Sequence, residues 1–203
     1  FSGCPIRCEV NPQCGREKEL KLVKTNNSQN VVIIGGGVAG MEAARYGSEV
    51  GHKMTLIEKT NELGGHFIEA TKPTFKEDHK RVLDWLKTQV KKSNTKVMMN
   101  TEATPELIKE LNPDAVIIAT GSHYTSIPVS GIEKAITPDV AIKREVPIGH
   151  KVVVIGGGLV GSEVALDLGN EGKDVTIIEM LPAIASQDEP LSQISLTKHS
   201  AAA

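Results

Sequence analysis

The stretch Val31-Val32-Ile33-Ile34-Gly35-Gly36-Gly37-Val38-Ala39-Gly40 passes from four apolar residues into three consecutive glycines, with a fourth three positions on. An apolar run this short and entirely β-branched favours a strand. The glycines stop it. From Val38 to about Val50 the chain reads as a helix, ended by Gly51 at a position suited to a left-handed cap. Met54-Thr55-Leu56-Ile57 then supplies a second strand and closes a βαβ unit of about 30 residues.

Shifting the chain by 121 positions lays Val31 to Glu58 on Val152 to Glu179, with 13 identities in 28 positions and no gap. The second copy runs through Val152-Val153-Val154-Ile155, Gly156-Gly157-Gly158, a helix from Leu159 to about Glu171, Gly172, and the strand Val175-Thr176-Ile177-Ile178. A supersecondary unit has therefore been used twice. Between the copies, Lys76 to Lys91 spaces Val82, Leu83, Leu86 and Val90 as an amphipathic surface helix. Lys96 to Met99 reads as a strand, Pro105 to Leu111 as a short helix, and Ala115 to Ala119 as a buried strand ending at Thr120-Gly121. With Pro128, Pro138 and Pro147, the stretch from Ser122 to Gly149 reads as a connection. Aromatics make up only 3% of the chain, so Val, Ile, Leu and Ala must build the core, as in strands covered by helices on both faces. The fold class is α/β.

The glycine spacing carries chemistry. In Gly35-x-Gly37-x-x-Gly40 the first glycine permits a tight turn, the second lets a pyrophosphate approach the backbone, and the third lets helix pack against strand. The phosphates would meet the helix N-terminus. Glu58, with Lys59 beside it, falls 23 residues after Gly35 at the end of the second strand, where a carboxylate can accept hydrogen bonds from ribose hydroxyls. Gly156, Gly158, Gly161 and Glu179 repeat the pattern, and an acid at Glu179 favours NADH over NADPH. Glu42 and Glu163 occupy equivalent positions in the first helical turn. Either could complement the positive helix end, and Glu163 could instead contact the nicotinamide side. A glycine-rich turn in an ordinary α/β domain is the alternative for each cluster.

Several function classes are disfavoured. Lys plus Arg total 23 against 25 for Asp plus Glu, a net charge of −2 with no long run of one sign, which argues against nucleic acid and membrane surfaces as partners. No window approaches the ~20 apolar residues of a membrane span, and no signal pattern opens the chain, so a cytoplasmic location is expected. Cys4, Cys8 and Cys14 are not at a standard zinc spacing. They are either inert thiols or part of a larger ligand set.

After the first copy come Leu63-Gly64-Gly65-His66 and then Ala119-Thr120-Gly121-Ser122. In this order the pieces resemble the two-dinucleotide flavoprotein family. The resemblance implies a Rossmann-like two-dinucleotide-binding fold, with FAD in the first unit beside the Gly64-Gly65 turn and with Ala119, Thr120 and Gly121 where the chain leaves for the NAD domain. His66 would lie near the flavin or simply in a loop. Disulfide reductases of this fold need a redox cysteine pair, and no cysteine follows Cys14, which disfavours that reaction. The stretch Cys8-Glu9-Val10-Asn11-Pro12, with Gly15-Arg16-Glu17 after it, is similar to the junction in the NADH:flavin oxidoreductase family of 2,4-dienoyl-CoA reductase and trimethylamine dehydrogenase. Those proteins precede this region with an old yellow enzyme-like barrel carrying FMN and with a four-cysteine iron–sulfur cluster. The resemblance makes Cys8 one cluster ligand in the full-length protein and leaves Cys4 and Cys14 outside the ligand pattern.

The expected organisation is a junction segment over 1–30, a FAD- or ADP-binding unit over 31–125, a connection over 126–150 and a truncated NAD-binding unit over 151–203. No Gly-Asp dipeptide marks a return to the flavin domain. The resemblance thus implies a C-terminal fragment of a larger enzyme, inactive alone. NADH would pass hydride to FAD, and electrons would continue to the 4Fe-4S cluster and FMN of the absent barrel, the parent chain's partner. No side chain is expected as a catalytic acid or base, since the cofactors supply the chemistry. A non-catalytic module holding ADP structurally is the alternative, and homo-oligomerisation is left open.

Overall fold

The computed structural model describes residues 8, 10–125 and 127–186. Cys4, Glu9 and the chain after Ser186 lie outside them. The chain divides into two compact units: the first takes the residues up to Ile68 together with Asp78–Ser122, and the second takes Glu69–Glu77 together with the residues from His123 on.

The first unit is built on a parallel sheet of four strands, β1 (Asn30–Ile34), β2 (Lys53–Ile57), β3 (Lys96–Met98) and β4 (Ala115–Ile118), in the order β3-β2-β1-β4. The register sets Ile33 beside Leu56 on one side and Ile117 on the other. Helix α1 (Val38–Val50) connects β1 to β2 and ends at Gly51, whose φ of 111° lets its N–H reach the Gly47 carbonyl. After the short α2 (Phe67–Ala70), α3 (Glu77–Lys92) turns Leu83, Leu86 and Val90 inward; α4 (Pro105–Leu111) is capped by the Thr104 hydroxyl, which accepts from Leu107 N–H at 3.2 Å. The core joins Val31 and Ile33 of β1, Met41 and Ala44 of α1, Met54 and Leu56 of β2 and the three α3 residues. Each fully buried aliphatic side chain contributes about 1.5–3 kcal/mol.

The second unit has β5 (Lys151–Ile155) and β6 (Asp174–Ile178) in parallel, linked by α6 (Leu159–Asn170). Gly172 adopts a φ of 80° just past the helix end. The stretch expected as a plain connection contains a 3-10 turn at Ile132–Lys134 and a helix, α5 (Pro138–Lys143), which packs Ala141 against Val164 and Leu168 of α6. Arg144 ends α5 at a φ of 58°, and its guanidinium pairs with Asp167 at 2.8 Å and Glu171 at 2.5 Å. Those ion pairs hold a left-handed conformation that costs a non-glycine residue about 1–2 kcal/mol.

One expectation is corrected. β4 is not buried: Val116 is 42% and Ile118 76% exposed. Its sequence is that of a covered strand, but among the described residues it bonds on one side only, to β1, and contributes no residue to the buried core. Similarly, β5 and β6 only half-bury their alternate residues, leaving Val153, Ile155 and Ile178 exposed.

Candidate functional site

In the first unit the predicted residues converge at the carboxyl end of the sheet. Gly35 turns the chain off β1 at a φ of 107°, and a Cβ there would meet the Ala119 carbonyl oxygen at 2.3 Å. Gly40 lies so close under this turn that a Cβ would stand 1.9 Å from the Gly35 carbonyl oxygen. Gly37 faces the other way. Nothing lies within 4 Å of a Cβ built on it, and as N-cap of α1 it receives no side-chain capping bond. The helix start thus has no side-chain cap and room beside Gly37, the arrangement that takes a phosphate. The residues present fit a pyrophosphate.

Glu58 is buried, and both its oxygens are engaged. Oε2 accepts from Gly36 N–H at 2.7 Å, and Oε1 accepts from Thr60 N–H and the Thr60 hydroxyl, each at 2.8 Å. Burial alone would raise this carboxyl's pKa, but the Thr60 and Gly36 N–H groups, the Thr60 hydroxyl and the nearby Lys59 charge outweigh it and hold it below the ordinary glutamate value. Oε2, with one bond made, keeps acceptor capacity for a ribose hydroxyl. Thr60 was not singled out from the sequence, although a threonine two positions after a strand-end acid is a local turn signal.

The Gly64-Gly65 turn sits against the cradle. Gly64 N–H donates to the Gly36 carbonyl at 2.8 Å, and a Cβ on Gly65 would lie 3.2 Å from the Gly37 Cα. Ala119 N–H donates to the Ile34 carbonyl at 2.8 Å, which brings Thr120 and Gly121 to the same sheet end. His66 Nε2–H donates to the Ser122 carbonyl at 2.8 Å, linking the Gly-Gly turn to the departing chain. Lys59 is exposed beside Glu58.

The second unit repeats this geometry by itself. Gly156 has a φ of 98°, a Cβ on Gly161 would meet the Gly156 carbonyl oxygen at 1.9 Å, and Gly158 faces open space as the N-cap of α6. Glu179 accepts from Gly157 N–H at 2.6 Å and Leu181 N–H at 2.8 Å, and these bonds, Leu181 first, depress its carboxyl. Ser162, fully buried, donates its hydroxyl to the Gly157 carbonyl at 3.0 Å.

Glu42 and Glu163 differ from expectation. Each is the fifth residue of its helix, beyond the first turn, and each is in an ion pair: Glu42 with Arg45 at 2.6 Å, Glu163 with Lys76 at 2.5 Å. Complementing the helix end is therefore not their role. Cys8 is exposed and Cys14 half-buried, and among the described residues no group of three or more His, Cys, Asp or Glu side chains is placed to hold a metal ion. A cleft of about 600 Å³ lies at the opposite end of the sheet, lined by Asn30, Lys53, Asn94 and Lys96 among others, and contains none of the cradle residues. Among the described residues no helix is long and apolar enough to cross a membrane.

The model of a family described as pyridine nucleotide-disulphide oxidoreductase matches residues 29–202. The chain is 43% identical over 186 residues to the cinnamate reductase of Clostridium sporogenes, covering 92% of this chain and 28% of that protein. It is 38% identical over 203 residues to the NADH oxidase of Thermoanaerobacter brockii, covering 97% and 31% respectively. A solved structure of 2-naphthoyl-CoA reductase superposes with a TM-score of 0.89 at 30% identity, over 96% of this chain and 30% of that one. The chain thus spans less than a third of the length of these relatives.

Proposed function

Because the chain belongs to the pyridine nucleotide-disulphide oxidoreductase family, we propose that it is the nucleotide-binding part of a longer flavin oxidoreductase, with FAD in the cradle of Gly35, Gly37, Gly40 and Glu58 and NADH in that of Gly156, Gly158, Gly161 and Glu179. The observation that carries this is the duplicated cradle: two open helix N-termini, each with a strand-end glutamate fixed by the N–H of the glycine at its turn. Both are sites for the phosphate and ribose of a dinucleotide. The close approach of Gly65 to Gly37 and the end of β4 at Gly35, which among the described residues have no counterpart at the second cradle, support FAD in the first.

Bound FAD and NADH would supply hydride transfer. The chain's own residues bind and orient them: the glycine turns admit the phosphates, the glutamates hold the riboses, and the His66 bond to Ser122 ties together the two loops that flank the first cradle. The absence of cysteine after Cys14 favours onward electron transfer over thiol chemistry. In the longer protein, Cys8 would serve as one iron–sulfur ligand and an old yellow enzyme-like barrel with FMN would receive the electrons. The boundaries proposed are 31–125 for the FAD unit, apart from the segment Glu69–Glu77 that groups with the second unit, and 151–203 for the NADH unit, with a cytoplasmic location.

An absorption spectrum of the purified chain tests this. A yellow protein that retains FAD through gel filtration, and whose flavin band bleaches anaerobically with NADH, is the expected result. A colourless protein that releases ADP on denaturation would overturn the flavin assignment and leave a structural nucleotide module.

A further inference from the structure

The repeat places a glutamate four residues past the first residue of each helix, Glu42 in α1 and Glu163 in α6. At ~1.5 Å of rise per residue this is about 6 Å along the axis from the end where a pyrophosphate docks. That is within the ~8 Å over which physiological salt screens a charge. An uncompensated carboxylate there would oppose the two negative charges of the phosphates.

α1 neutralises its own glutamate. Arg45 donates to both Glu42 oxygens, at 2.6 and 2.8 Å, and also to Glu49 at 2.8 Å. The residue 121 positions after Arg45 is Leu166, which is buried, so α6 has no equivalent cation. The charge comes instead from elsewhere in the second unit. Lys76, at the end of the 3-10 turn Thr74–Lys76, sets its Nζ 2.5 Å from Glu163 Oε1, with only 15% and 19% of the two side chains exposed. The same short segment is anchored at its other end, where Lys143 Nζ lies 2.8 Å from the buried Glu69.

We infer that, with NADH in the second cradle as proposed above, Lys76 is the positioning residue that completes that cradle by cancelling Glu163. It does for α6 what Arg45 does for α1, although it belongs to a segment that interrupts the first unit in sequence. The pair keeps Glu163 turned toward the lysine and leaves the helix end electrically open to the pyrophosphate.

Calorimetric titration of NADH into the chain, at low and raised KCl, tests this with the variants Lys76→Met, Glu163→Gln, the double variant and Lys76→Arg. Lys76→Met should bind about tenfold more weakly, the scale of a lost charged contact, and raised salt should narrow the difference. The double variant should return to within about threefold of the unsubstituted chain, and Lys76→Arg should retain affinity. Melting curves check that each variant is folded. Should Lys76→Met not fold, Glu163→Gln decides: equal or tighter NADH binding supports the assignment and weaker binding overturns it. Unchanged affinity in Lys76→Met, or a double variant as weak as that single one, overturns the role of Lys76 alone. No NADH binding by the unsubstituted chain overturns the second-site assignment together with it.

Discussion

Ala185 donates its backbone N–H to the carbonyl of Gly157 at 2.6 Å, and it stands 121 residues after Gly64, which makes the same bond to Gly36 at 2.8 Å. Each therefore closes its cradle from the side. Ala185 does so at a φ of 51°, where an alanine carries a cost that glycine does not. Ala185→Gly should raise stability by about 0.5–1 kcal/mol, net of the added chain entropy. Gly64→Ala should lose more than that, because the backbone there has a φ of 134° and the new Cβ would lie 2.6 Å from Ile68 Cγ1. Denaturant titrations of the two variants measure both effects.

Gly37 and Gly40 separate binding from folding. Gly37 has a φ of −71° and open space at its Cβ position, so Gly37→Val should fold with an unchanged melting temperature and fail to bind a nucleotide at the first cradle. Gly40→Ala drives a methyl into the Gly35 carbonyl and should cost at least the ~1–3 kcal/mol typical of overpacking. Circular dichroism melts, read together with nucleotide retention after gel filtration, distinguish the two.

Removing Glu179 tests the second ribose contact. Glu179→Ala should weaken NADH binding by about 1.5–3 kcal/mol, roughly 10- to 150-fold. NADPH, which gains nothing from the carboxylate, should lose far less, so the ratio of the two affinities should fall. An unchanged ratio would place the adenosine ribose elsewhere.

Acid should weaken the fold partly through Glu58. Its pKa is depressed in the folded chain, so its contribution is present above the ordinary glutamate value of ~4.3 and fades as pH falls through the lower folded value. Glu58→Gln should be less stable than the unsubstituted chain at neutral pH, and the gap should shrink below about pH 4. Urea midpoints from pH 7 to 3 measure this; a gap that stays constant with pH would mean Glu58 titrates alike in both states.

Much of the cradle was legible because it is local. The Val31–Ile34 strand, the glycine spacing and Glu58 lie within 28 residues, and each position has one steric or hydrogen-bonding reason. The match between copies extends further than identity reveals: Leu63 packs against the place where a Gly36 Cβ would be, as Ile184 does for Gly157, although the following residue changes from glycine to alanine. Lys76 was not legible. A lysine in a charged stretch has no periodic signature, and its partner is 87 residues away. The exposure of β4 also escaped the sequence, since Ala115–Ile118 reads as a covered strand and its edge position follows only from the strand order.

The ion pair between Lys76 and Glu163 also bears on how the chain is made. Lys76 leaves the ribosome well before Glu163, and by then Phe67 and α3, on either side of its segment, are available to join the core of the first unit. Glu163 is synthesised into a setting where its counter-charge already exists. A polypeptide beginning at His123 would lack that counter-charge beside Glu163, so independent expression of the two halves should yield a second half short of one of its own ion pairs.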